Sequence, residues 1–220
     1  MKLDMHLHSN FSSDGKAPPR DLLKQARKNG LAGLCITDHN TIKGNAEARK
    51  IAAEFNLIVI RGMEISSTDG HILAYGIQDE VPRDLSPEET LDMIRSQGGL
   101  AVIPHPYRYW SGLGEARTLS IKPDAIETVN AHSTGNDNAL AKKLAERMKL
   151  SMTAGSDSHE LSSIGRAYTI LPDAESEDDV LKSIRSGKTK TGGQSRNLAG
   201  TFKDRTLTVT QWMGRGFRKM

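Results

Sequence analysis

A chain of 220 residues suffices for one sizeable domain with a buried core. Its 36% hydrophobic residues and mean hydropathy of -0.50 fit a soluble globular protein, and its longest apolar runs, near Ile58–Ile60 and Leu100–Ile103, are far shorter than the roughly 20 residues of a membrane span. The net charge of +3 is uneven: eight Lys and Arg against Asp204 give residues 187–220 a charge of +7, leaving −4 elsewhere, so any contact with a polyanion through charge alone is expected at that end.

In chain order, short apolar runs alternate with helical patterns. The expected strands are Lys2–His6, Leu31–Thr37, Leu57–Gly62, His71–Ile77, Leu100–Pro104, Ala125–Asn130, Ser151–Ala154 and Ala167–Leu171. Amphipathic helices are expected at Pro19–Asn29, Asn45–Phe55, from Ser86 through Ile94, at Asn136–Lys149 and at Glu177–Ser186. Ser86, Pro87 and Glu89 form a capping box with proline in the first turn, and Gly98-Gly99 ends that helix. Gly112-Leu113-Gly114 and Gly192-Gly193 read as turns. The single cysteine, Cys35, lies in the apolar run Leu34-Cys35-Ile36 and reads as buried filler. The opening MKLDMHLHSN has no signal-like apolar stretch, which gives a cytoplasmic expectation.

This alternation predicts an α/β domain with a mostly parallel sheet, and about seven units fit a closed barrel better than a small open sheet. The domain is expected to cover residues 1–192. Residues 193–220 read as a basic extension and not a separate domain, with one strand allowed at Thr206–Val209 and with Trp212, Arg215, Phe217 and Arg218 as nucleic-acid or subunit contacts.

All seven histidines fall at or beside strand ends. His6 and His8 end the first run, with Asp14 close behind; Asp38-His39 ends the second; Glu64 follows the third; His71 opens the fourth; His105 ends the fifth; His132 follows the sixth; Asp157 and His159 follow the seventh. Barrel enzymes assemble their sites at the C-terminal rim of the strands, so these side chains are expected to converge. Alternate residues of an extended segment point the same way, which lets His6 and His8, or Asp157 and His159, share an ion. Mixed imidazole and carboxylate donors suit zinc, manganese or iron better than magnesium or calcium.

The ordered motifs His6-Leu7-His8-Ser9 with Asp14-Gly15, Thr37-Asp38-His39-Asn40, Gly62-Met63-Glu64, His105-Pro106 and Gly155-Ser156-Asp157-Ser158-His159 resemble those of the PHP (polymerase and histidinol phosphatase) superfamily. The resemblance covers roughly Met1–Leu171. It implies a distorted (β/α)7 barrel whose two or three divalent metal ions hydrolyse phosphate esters. Carried over residue by residue, His6, His8, Glu64 and Asp157 hold one ion. Glu64 bridges to a second, completed by His71 and His105, and Asp14, His39 and His159 hold a third. Asp14 stands where some relatives have histidine, and His132 matches a ligand position in some branches, which makes it a further candidate.

Two close cations lower the pKa of a bridging water and clamp phosphoryl oxygens, and His39, His159 or the third ion would stabilise the leaving group. Asp38 is expected either to orient His39 or to cap the strand end. Arg108, Arg166, Lys43 and Ser9 are the candidate phosphate contacts. Tyr107, Tyr109 and Trp110 read as core packing in the first instance, with stacking on a base as the functional alternative.

Glu64-Ile65 with His71-Ile72-Leu73 and His105-Pro106-Tyr107-Arg108-Tyr109 resembles the branch acting on nucleotide or nucleic-acid phosphates. The expected substrate is therefore a phosphorylated small molecule or nucleotide, or the end of a short nucleic acid. A small-metabolite phosphatase, such as one for histidinol phosphate, and a non-catalytic metal-bearing accessory module are the alternatives. The complete ligand set argues against the last.

Overall fold

The computed structural model describes residues 1–196. Nine strands form one sheet in the order β7-β6-β5-β4-β3-β2-β1-β8-β9. They are β1 Lys2–Leu7, β2 Gly33–Ile36, β3 Ile58–Ser66, β4 His71–Tyr75, β5 Leu100–Ile103, β6 Ala125–Asn130, β7 Ser151–Gly155, β8 Ala167–Ile170 and β9 Lys190–Gly193. Seven of them nearly close into a barrel. The chain leaving β7 pairs with β1 through a parallel bridge between Leu7 and Ser158, where the Asp157 amide donates to the His6 carbonyl at 2.7 Å and the His8 amide to the Ser158 carbonyl at 2.8 Å.

The sheet is parallel except where β4 lies antiparallel to both β3 and β5, and where β8 runs against β1 and β9. The expected third strand stopped at Gly62; β3 continues to Ser66 because its last residues pair with β4, Glu64 opposite Leu73 and Ser66 opposite His71. Glu64 therefore stands inside a strand. The reversal of β4 also explains why His71, alone among the histidines, opens its strand: an antiparallel strand begins at the rim where its parallel neighbours end.

β1 changes partners along its length, from β8 at Lys2 and Leu3 to the β7 extension at His6 and beyond. Such a changeover leaves backbone amides unpaired, and a buried unpaired amide costs about 1–3 kcal/mol. Asp4, fully buried, accepts from the amides of Ser156 and Gly165, both at 2.8 Å, and of His6 at 3.3 Å. Burial raises its carboxyl to about 6, against the pull of those bonds. The pairing of β1 with β2 shifts register between Asp4 and Leu7. Leu3 and Met5 pack with Cys35, Ile60 and Tyr75, whereas Leu7 packs with Leu22, Leu34 and Ile36. A bulge re-aims side chains in this way, and it leaves His6 and His8 directed at the rim.

Helices α1 (Pro19–Lys28), α2 (Lys43–Phe55), α3 (Pro87–Ser96), α4 (Glu115–Ser120), α5 (Gly135–Met148) and α6 (Glu177–Arg185) flank the sheet. α3 carries the capping box read from Ser86 and Glu89. Leu22 and Leu23 of α1 join one apolar cluster, and Leu91, Ile94 and Leu144 of α3 and α5 join another. Val180, Leu181 and Ile184 of α6 pack beneath Leu3, Tyr75 and Leu100, closing the end opposite the histidines. α4 and β9 were not expected from the sequence. Gly192 and Gly193 belong to β9 and are not a turn, and Gly114, at φ +77°, stands at the N-cap of α4. β9 crosses the expected boundary at residue 192, and the Arg196 amide donates to the Ser133 carbonyl at 2.9 Å. Thr206–Val209, Trp212, Arg215, Phe217 and Arg218 lie outside the described residues. Among the described residues no helix is long and apolar enough to cross a membrane.

Gly155 lets β7 approach β1. A Cβ there would stand 2.3 Å from His6 Cβ and 2.5 Å from His6 N. Gly155→Ala is expected to destabilise the fold by about 1–3 kcal/mol through overpacking. Thermal denaturation checks this, and an unchanged Tm would refute so tight a contact.

Candidate metal centre

The rim gathers residues from six strand ends around Glu64, which is buried. Its two oxygens face different partners. Oε1 lies 2.8 Å from His71 Nδ1 and 3.1 Å from His105 Nε2. Oε2 lies 3.2 Å from His6 Nε2, 3.3 Å from His8 Nε2 and 3.5 Å from His39 Nδ1. Asp157 Oδ1 meets the same two imidazoles, at 3.5 Å from His6 and 3.3 Å from His8. On the outer side Asp14 Oδ2 stands 3.3 Å from His39 Nε2 and 3.1 Å from His159 Nε2. Five overlapping groups of donor atoms result: His6-Glu64-His105, His6-His8-Asp157, His39-Glu64-His71, His8-Asp14-His39-His159 and His132-Asp157-His159.

These groups fit divalent ions. Among the described residues, the buried ring nitrogens His8 Nε2, His39 Nδ1 and His105 Nδ1 make no hydrogen bond. Buried polar atoms are nearly always hydrogen-bonded, and His8 Nε2 and His39 Nδ1 instead stand 3.3 Å and 3.5 Å from carboxylate oxygens, a spacing that suits donors around a shared ion. Several other ring nitrogens are directed by local bonds, a common arrangement for histidine ligands. His159 Nδ1 is 2.9 Å from the Asp157 carbonyl, leaving Nε2 toward Asp14.

Charge is arranged to match. Burial raises the Glu64 and Asp157 carboxyls, but imidazoles around both, and Arg108 beside Asp157, hold them well below the usual carboxylate range. Burial likewise works on Asp14, and His159 and His39 overrule it downward. Burial lowers His8, yet Asp157 and Glu64 lift it to about 10, and His6 is raised well above its ordinary value against the same burial by Asp157, Glu127 and Glu64. Burial dominates for the others: His39 is lowered, His132 falls to about 4, and His105, with Arg108 nearby, falls to about 3. Two ligand candidates carry left-handed backbone, His105 at φ +30° and Asp157 at φ +53°. Non-glycine residues adopt that region at a cost of about 1–3 kcal/mol, a feature common at functional sites.

The remaining sequence candidates divide. Arg108 Nη2 donates to Asp157 Oδ2 at 2.7 Å and to Asn130 Oδ1 at 2.9 Å, placing its guanidinium at the cluster. His132 lies beside His159, ring centroids 5.6 Å apart. Asp38 does not orient His39: its Oδ1 accepts from the Ser9 amide and its Oδ2 from the Ser9 hydroxyl, each at 2.6 Å. This bond engages the Ser9 hydroxyl proton and makes the pair a clasp for the turn after β1. Arg166 is exposed and lines a separate surface hollow with Asn29, Ile164 and Tyr168. Lys43 is exposed at the start of α2. Tyr107 is half-buried, its hydroxyl donating to Glu115. Tyr109 and Trp110 are 86% and 63% exposed and meet edge to face at 4.8 Å, which overturns core packing for both.

Three residues went unread in the sequence. Ser12 donates to Asp14 Oδ1 at 2.7 Å. Glu127 lies 2.9 Å from His6 Nδ1, and Asn130 donates to Asp157 Oδ2 at 3.1 Å. A lone acid within the apolar strand Ala125–Asn130 was the available signal for Glu127.

The chain is 41% identical over 160 residues to an uncharacterized protein of Methanocaldococcus jannaschii, covering 66% of this chain and 93% of that one. A model of the PHP-associated family matches residues 135–189. The chain belongs to the PHP superfamily. A Thermotoga maritima protein named "Probable histidinol-phosphatase" is 29% identical over 207 residues, covering 74% of this PHP chain and 87% of its own. A two-domain Bacteroides vulgatus protein containing a predicted PHP-like metal-dependent phosphoesterase has the same fold, with a TM-score of 0.73 at 19% identity; the match covers 88% of this chain and 65% of that one. The fold and the donor groups of the rim are thus those of a PHP chain.

Proposed function

We propose that this PHP protein hydrolyses the phosphate ester of a nucleotide or of a nucleic-acid end. The observation that carries the metal assignment is the division of Glu64, one oxygen toward His71 and His105 and the other toward His6 and His8. A carboxylate so divided suits two ions at once. His6, His8, Glu64 and Asp157 would hold one, Glu64 with His71 and His105 a second, and Asp14, His39 and His159 a third. His71 and His105 both face Glu64 Oε1, but their nitrogens group with it separately, His71 beside His39 and His105 beside His6. The nitrogen-rich donor set favours manganese, zinc or iron. When bound, such ions lower the pKa of coordinated water and neutralise phosphoryl oxygens.

The chain's own groups account for the rest. Arg108, partly exposed above Asp157, offers its guanidinium to a phosphoryl oxygen while neutralising the carboxylate below. A departing oxygen would be stabilised either by the third ion or, in its place, by His39 and His159, whose Nε2 atoms share Asp14. His132 is a candidate for the same outer position.

Tyr109 and Trp110 favour a nucleotide. They follow His105 and Arg108 directly and present two exposed ring systems at the rim. Base stacking on an aromatic side chain is worth about 1–3 kcal/mol per base. Trp110→Ala is therefore expected to raise KM for nucleoside phosphates by roughly 5- to 150-fold, leaving turnover of glycerol phosphate unchanged. Steady-state assays with added manganese across nucleotides, short oligonucleotides and non-aromatic phosphates test this. Equal loss on all substrates would reject the stacking role. The Thermotoga maritima relative, matched over most of its length, favours histidinol phosphate or a similar metabolite as the second reading, and the same panel separates the two.

A further inference from the structure

We infer that Glu127 is a positioning residue that sets the donor atoms of the metal centre without ligating an ion itself. The inference rests on the metal assignment above and concerns a residue outside every donor group of the rim.

Glu127 lies in β6, 1% exposed, and both its oxygens are engaged. Oε1 is 2.9 Å from His6 Nδ1. Oε2 accepts from the His105 backbone amide at 3.1 Å and from Asn130 Nδ2 at 2.8 Å. The same Asn130 Nδ2 reaches Asp157 Oδ2 at 3.1 Å, and Asn130 Oδ1 accepts from Arg108 Nη2 at 2.9 Å. One buried carboxylate thus ties together three candidate ligands from β1, β5 and the loop after β7.

The ties act on what a metal site needs. A proton kept on His6 Nδ1 by Glu127 leaves Nε2, the atom facing Glu64 and Asp157, as the donor. The bond to the His105 amide restrains the one candidate ligand whose backbone sits at φ +30°. A carboxylate is required because all three neighbours donate. An amide of the same shape offers one acceptor in place of two, and turns an N–H toward a donor.

Glu127→Gln in the full chain is the test, with zinc and manganese affinity measured by competition with a chromophoric chelator. The expected result is affinity weakened 10- to 100-fold, with circular dichroism unchanged. A role in packing alone would lower Tm but leave two other readouts in place. In the cobalt-loaded protein the exchangeable Nδ1 proton of His6 is expected to shift and to exchange faster with solvent after the substitution. Glu127→Asp, which keeps the carboxylate, is expected to lie between the wild type and Glu127→Gln, and serves as the test if the glutamine variant does not fold. Affinity within twofold of wild type and an unmoved His6 proton in the variant that folds would overturn the inference. His8→Ala is the control: if the wild type binds no metal, the metal assignment itself falls. If the wild type binds, His8→Ala does not and Glu127→Gln still does, only the role of Glu127 falls.

Discussion

Glu64→Gln is expected to reduce phosphate release by roughly a thousandfold or more, the scale set by losing preorganised charge at the reacting phosphoryl group. The substitution keeps the length and shape of the side chain and changes only its donor atoms. Glu64 Oε1 serves the pair His71 and His105, and Oε2 serves His6 and His8. An amide nitrogen on either side cannot ligate, and one of the two sets then falls below a workable number of ligands. Both His71–Glu64 and His105–Glu64 contacts are near hydrogen-bonding length, so the metal-free fold should survive. Elemental analysis after dialysis should find fewer bound ions per chain than in wild type, and an assay with an aryl phosphate should find almost no turnover. Activity within tenfold of wild type, with metal content intact, would show that Glu64 does not link the two sets. Glu64→Gln takes away a proposed ligand, whereas Glu127→Gln disturbs only how the proposed ligands are held, so Glu64→Gln should cost far more.

Much of this centre could be read before any fold was known. Histidines and acids at strand ends are legible because a barrel brings those ends to one rim whatever the loops do. What could not be read depends on direction and on the third dimension. The run from His71 reads as a strand, but no residue in it states which way it points; the segment Ser66-Ser67-Thr68-Asp69-Gly70 between two apolar runs was the hairpin signal that reverses β4. β9, Lys-Thr-Gly-Gly, has no apolar alternation because it is a short, partly exposed edge strand held by pairing with β8. Ser9 and Asp38 looked like separate functional groups, 29 positions apart, and are one hydrogen-bonded clasp. Tyr109 and Trp110 looked like core because aromatic residues usually are. A rim loop anchored by the Gly112 amide on the Arg108 carbonyl keeps them out of it.

Metal affinity is expected to rise steeply with pH. In the metal-free protein His6 and His8 hold protons more tightly than free imidazole, His8 with a value of about 10. The cause is the buried pair Glu64 and Asp157, whose negative charge has these imidazolium rings as its neighbours once no ion is present. The sign follows from linkage. Below about 6.5, the ordinary value of imidazole, His8 is protonated whether folded or not, and the full stabilisation of its raised pKa is present. Between there and about 10 the stabilisation fades, because the folded ring still binds a proton that the unfolded ring has released. The two carboxylates act in the opposite sense and lose their contribution only in strong acid. The metal-free fold should therefore be less stable at pH 10 than at pH 7, as a melting series without metal would register. An incoming cation replaces these protons, so each one displaced adds about tenfold in affinity per pH unit. Raising the pH from 6 to 8 should strengthen binding of the first ion by about 100-fold if one proton leaves and about 10,000-fold if both do. Titration calorimetry in buffers of different ionisation enthalpy counts the protons released directly. A count of zero, or an affinity flat across that range, would mean that His6 and His8 already stand neutral and that the charge of Glu64 and Asp157 is balanced in some other way.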